Sequence, residues 1–118
     1  MFGQILKTLQ ESDLVRDFEL TELVEEESLA FLKMKVTLFN ESFLFIKEVV
    51  FKDGSKYSYH WQDQKGNLIR WDNSPHWSYI STYPDHKHIG KDVLPSYRVF
   101  IEDILKEIQE RIASPSQP

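Results

Sequence analysis

Residues Ala30–Leu38, AFLKMKVTL, alternate without a break: Ala30, Leu32, Met34, Val36 and Leu38 share one side, and Phe31, Lys33, Lys35 and Thr37 share the other. A period of two marks a strand with one buried and one wet face. Working outward, Asn40 and Glu41 form a turn into Phe43–Phe51, a run rich in Phe, Val and Ile. Asp53-Gly54 then signals a hairpin. Lys56–Gln62 puts Tyr57, Tyr59 and Trp61 on one face and Ser58, His60 and Gln62 on the other. Lys65-Gly66-Asn67 turns the chain into Leu68–Trp71, where Arg70 separates Ile69 from Trp71. On the N-terminal side, Val15–Val24 alternates Phe18 and Leu20 with Glu19 and Thr21 before the acidic run Glu25–Glu27. Consecutive strands joined by short turns predict an antiparallel meander of about five strands.

Helical spacing appears at both ends. Phe2, Ile5, Leu6 and Leu9 predict a short N-terminal helix over residues 2–10. Over residues 96–112, Phe100, Ile101, Ile104, Leu105, Ile108 and Ile112 form one apolar stripe, with Glu102/Lys106 and Glu107/Arg111 at supporting i,i+4 spacing. That stripe covers one face of the sheet. The fold class is therefore α+β: an antiparallel meander with a short N-terminal helix and a C-terminal amphipathic helix packed on it. Residues 1–118 form a single domain, with a frayed polar tail over residues 113–118. Between Asp72 and Pro95 periodicity is lost and Asn73, Pro75, Pro84 and Gly90 collect, which is loop chemistry.

A chain of 118 residues with 41% apolar side chains can bury a core without disulfides. It has no cysteine, which excludes a thiolate zinc site and a cysteine nucleophile. No stretch approaches the roughly 20 apolar residues of a membrane span, so a cytoplasmic protein with no membrane partner is expected. The net charge of -5 excludes a general nucleic-acid coating protein. That charge is unevenly placed, however. Residues 1–45 hold 4 basic and 9 acidic side chains, whereas residues 46–92 hold 7 and 6 and carry all four histidines and all three tryptophans. Binding follows local potential, and the middle block is where chemistry concentrates.

Three clusters stand out in that block: Tyr57-Ser58-Tyr59-His60-Trp61-Gln62-Asp63, then Arg70-Trp71-Asp72-Asn73-Ser74-Pro75-His76, then Thr82-Tyr83-Pro84-Asp85-His86-Lys87-His88. Imidazoles titrate near neutrality, cations hold phosphate, and aromatic faces take unstacked bases. Those are the parts of a metal-independent ribonuclease and equally of a noncatalytic RNA- or protein-binding module. A strand-borne Tyr57, Tyr59 or Trp61 also reads as core, and Asp72 and Asn73 before Pro75 also read as turn formers. His86-x-His88 points two rings the same way and, with Asp85 or His76, offers divalent-metal ligands. A third ligand at diagnostic spacing is missing, so neither a metal nor a cofactor is expected. The acidic residues of the first block repel RNA and direct it to the other side of the molecule.

The motifs YSYHWQD, KGN, IRWDNSPH and ISTYPDHKHIG, followed by the closing amphipathic helix, resemble the TumE-type toxin family of toxin–antitoxin modules, most clearly over residues 56–90. The resemblance implies a small toxin with a cognate helix-turn-helix antitoxin. It carries over to His60, Asp72, Asn73, Pro75, His76, Thr82, Pro84, His86, Lys87 and His88. Trp77 and Asp85 stand where relatives often have histidine, so any mechanism using those extra imidazoles is set aside. The reading is a toxin that cleaves RNA, free or ribosome-associated, with His60, His76, His86 and His88 as candidate acid and base. Arg70 and Lys87 are expected to hold phosphate, Tyr59 or Trp77 to stack a base, and Asp72 and Asn73 to contact substrate. The oligomeric state, a homodimer included, is left open.

Overall fold

The structure is a computed structural model, and it describes residues 2–113. Helix α1 (Gly3–Glu11) leads into strands β1 (Val15–Glu25), β2 (Leu29–Leu38), β3 (Phe43–Phe51), β4 (Gly54–Gln62), β5 (Leu68–Asp72), β6 (His86–Ile89) and β7 (Asp92–Pro95), and helix α2 (Ile101–Ala113) closes the fold. All seven strands form one sheet in chain order, each antiparallel to the next.

The α+β meander with a helix at each end agrees with the expectation, and the sheet has two strands more than the five anticipated. The additional pair lies in the stretch expected to be loop. His86–Ile89 and Asp92–Pro95 are too short for alternation to register, yet they form a hairpin around Gly90, whose φ of +58° suits a residue without a Cβ. The C-terminal helix starts at Ile101 instead of Ser96. There the Asp103 carboxylate accepts the Phe100 backbone N–H at 2.8 Å, which satisfies a donor at the helix start. Ala113 is its last helical residue. The rest of the expected frayed tail, residues 114–118, lies outside the described residues.

The core lies on one face of the sheet. Ala30, Leu32, Met34, Val36 and Leu38 pack with Leu44, Ile46, Tyr57, Tyr59, Trp61, Ile69 and Trp71 beneath Ile5 and Leu9 of α1 and Ile101, Ile104, Leu105 and Ile108 of α2. The two helices meet where Gln4 and Thr8 donate to Glu102 at 3.2 and 2.9 Å. Because both helices take this face, the opposite side chains of β2–β4 carry no helix above them, and the candidate residue His60 stands there beside Arg70 of β5.

Candidate functional site

Antiparallel pairing fixes which side chains stand beside one another across the uncovered face. One row runs Lys35 (β2), Phe45 (β3), His60 (β4), Arg70 (β5) and His88 (β6). The adjoining row runs Lys33, Lys47, Ser58, Asp72 and His86. Strands lie about 4.8 Å apart, so the two outer histidines of the His60–Arg70–His88 set have backbones about 10 Å apart with the guanidinium between them.

At the β5–β6 end the rows close into a cluster. Asp72, 4% exposed, is its only acid: Oδ2 accepts from Arg70 Nε at 2.9 Å, and Oδ1 accepts the Ser74 backbone N–H at 2.9 Å and lies 2.9 Å from His86 Nε2. His88 Nε2 is 3.5 Å from Oδ2 of the same carboxylate. The two imidazoles meet Nε2 to Nε2 at 2.9 Å. His86, 1% exposed, donates Nδ1–H to the Pro84 carbonyl at 2.9 Å, which fixes its ring. Trp77, half-buried in the loop between β5 and β6, sets its ring edge-on to both, with centroids 6.3 Å from His86 and 5.9 Å from His88.

The hydrogen bonds restrict the protons. Arg70 can only donate, so its Nη2, 3.3 Å from His88 Nε2, makes that nitrogen an acceptor. With the Nδ1 proton of His86 given to Pro84, the His86 and His88 Nε2 atoms and the Asp72 carboxylate face one another across one small space. These three residues are also a candidate metal group, their ligand atoms all lying within 4.8 Å of one another. Burial, and then the Arg70 guanidinium, lower the pKa of both His60 and His88, while Asp72 acts in the opposite sense on His88. His60 is therefore neutral at pH 7 and partly exposed, its ring edge-on to Phe45 at 5.9 Å.

Of the residues expected from sequence, the structure brings Arg70, Asp72, Trp77, His86 and His88 together and sets His60 beside Arg70. His76 is exposed on the loop, outside the cluster. Tyr59 is fully buried on the helix-covered face with its hydroxyl given to Glu48, so it has no free face for a base. Lys87 also projects to the helix side, because alternation sends it opposite to His86 and His88. There it donates to Glu107 of α2 at 3.1 Å. Asn73 ties strands together, accepting the Tyr57 N–H at 3.0 Å and donating to the Ser55 carbonyl at 2.9 Å. Lys33, Lys35, Lys47 and Phe45, none of them a candidate from sequence, share the uncovered face with His60 and Arg70. Their signal was available as the wet sides of the β2 and β3 alternations.

Among the described residues no helix is long and apolar enough to cross a membrane. Compared with known families, residues 5–112 match the family described as Toxin TumE. Neither a curated protein nor a solved structure matches the chain.

Proposed function

The chain belongs to the TumE toxin family, and on that premise we propose that it arrests growth by cleaving RNA through histidine acid–base chemistry centred on Arg70. Membership implies a cognate antitoxin partner; the reading adds that this partner is of the helix-turn-helix kind and that the toxin acts in the cytoplasm. The observation that supports cleavage is the His60–Arg70–His88 row, two imidazoles flanking a guanidinium on an uncovered sheet face.

Arg70 holds the scissile phosphate through charge-assisted hydrogen bonds. Neutral His60 takes the proton from the ribose 2′-hydroxyl as its oxygen attacks phosphorus. The bond from phosphorus to the 5′-oxygen breaks, and that oxygen receives a proton from the His86–His88 pair. The products are a 2′,3′-cyclic phosphate and a 5′-hydroxyl. Asp72 touches no substrate in this scheme: it orients Arg70 and stabilises the protonated pair. Trp77 edges the same cluster and offers a ring to a neighbouring base. Lys87, tied to α2, positions β6 under the helix.

A second reading puts a divalent ion on Asp72, His86 and His88, favoured by the convergence of three ligand atoms. Purified toxin incubated with total RNA, and in parallel with ribosomes, separates the two. Cleavage is expected to survive EDTA and to leave 2′,3′-cyclic phosphate ends. Loss of cleavage on chelation, with recovery on adding one metal, transfers the chemistry to the second reading. RNA that stays intact but bound in both reactions leaves a noncatalytic binder.

Lys87 supplies a contrasting prediction. Lys87→Gln removes a partly exposed ion pair with Glu107, so it is expected to lower stability by less than about 1 kcal/mol. Its cleavage rate is expected to match the parent's, because the side chain stands on the far face of the sheet. Urea denaturation and a cleavage time course check the two halves.

A further inference from the structure

We propose that the uncovered face of β2–β4 is a track for single-stranded RNA, which crosses the strands and delivers the chain to Arg70. The proposal rests on reading that residue's surroundings as an RNA-cleaving centre, and it adds where the rest of the substrate lies.

The charge of this face differs in sign from that of the whole protein. Lys33 and Lys35 of β2, Lys47 of β3 and Lys56 of β4 are all exposed on it, continuous with Arg70 of β5. Aromatic rings alternate with them. Phe31, Phe43 and Phe51 are half-buried, and Phe45 is 38% exposed. The lysines already lie over the rings, Lys35 at 4.6 Å from the Phe43 centroid and Lys47 at 5.9 Å from that of Phe31. Cations that track a backbone beside aromatic faces that accept bases are what binding of an unpaired strand requires. A duplex keeps its bases stacked on one another and cannot use the rings.

The row geometry gives the track a direction. Lys35, Phe45, His60, Arg70 and His88 stand on successive strands, so about 19 Å separates the first backbone from the last. A groove of 480 Å³ runs along the β2–β4 part of this line, where Lys33, Lys35, Phe45, Lys47 and His60 line it, and Glu22 closes its β1 edge. His60 thus belongs both to the groove and to the Arg70 row. Beyond β2, Glu19 and Glu22 stand opposite Lys35 and Lys33 on β1. Among the described residues no ion pair joins these acids to those lysines. The acidic strand repels phosphate and ends the track on that side.

The test compares the parent with the triple variant Lys33→Gln/Lys35→Gln/Lys47→Gln, none of which contacts the Asp72 cluster. Affinity is read by fluorescence anisotropy with a 12-nucleotide 2′-O-methyl oligouridine, which lacks the attacking hydroxyl. Cleavage is read on a UpA dinucleotide, too short to reach β2. The triple variant is expected to bind the oligonucleotide on the order of tenfold more weakly at low salt, with the slope of log K against log salt smaller by about 2. UpA cleavage is expected to be unchanged. Phe45→Ser is expected to weaken binding about fivefold or more while preserving the salt slope. Equal affinity and slope in parent and triple variant would overturn the track while leaving UpA cleavage to support the catalytic reading. Weakened oligonucleotide binding with no UpA cleavage by the parent upholds the track and removes the catalytic reading. Equally tight binding of a 12-base-pair RNA duplex or of a polyglutamate peptide would also overturn it.

Discussion

Replacing His60 and His88 together by glutamine is expected to slow RNA cleavage by about 10²- to 10⁴-fold, the range over which positioned acids and bases act. Glutamine keeps hydrogen-bonding capacity and approximate size but cannot exchange a proton near neutrality. His60 is partly exposed and His88 only partly buried, so the fold should tolerate both changes. Burial and Arg70 set the His60 pKa below its ordinary 6.5, so the residue becomes cationic only as pH falls through that lowered value. The parent's kcat/KM is accordingly expected to fall on the acid side below pH 6.5, and His60→Gln alone is expected to abolish that limb. A double variant with parental rates, measured on UpA and confirmed by end-group analysis, removes both imidazoles from the chemistry.

The largest expected effect on stability comes from Asp72→Ala. This carboxylate is buried and accepts from Arg70 Nε and the Ser74 N–H, each at 2.9 Å, and it faces His86 Nε2 at the same distance. Removing one partner from a buried charged set costs about 3–5 kcal/mol. The Arg70 side chain is nearly half exposed and can turn to water, so about 3 kcal/mol is expected. Asp72→Asn keeps an acceptor for Ser74 and is expected to lose less. Urea denaturation with an unchanged m value measures both, and a loss under about 1 kcal/mol for the alanine variant would mean that the cluster contributes little to folding.

The residues that could be read correctly in advance share one property: a single strand sufficed to place them. AFLKMKVTL divides into a core side and a wet side without reference to anything else, and the same parity sets His60 apart from Tyr57, Tyr59 and Trp61. His86 and His88 fall on one side of any extended segment by the same rule, whereas Lys87, expected to hold phosphate beside them, faces Glu107 on a helix that periodicity cannot position. The role of Asp72 was beyond reach because it depends on β6 returning beside β5 after an irregular segment of 13 residues, residues 73–85. Four-residue strands such as HKHI and DVLP show no period and, on sequence alone, are indistinguishable from loop. The lysines of β2 and β3 were legible as wet-face residues. Only the pairing register lines them up with Arg70, and without it they resemble ordinary solvated charge.

The order of strands also has a consequence during synthesis. Every strand pairs with the one made just before it, so the ladder can extend as the polypeptide leaves the ribosomal tunnel. Ile101, Ile104, Leu105 and Ile108 come last, and until they emerge much of the apolar side of the sheet stays open to water. Nascent chains that stop before α2 would therefore carry an assembled ladder whose apolar side has no cover, a species prone to associate with its own kind until the helix docks.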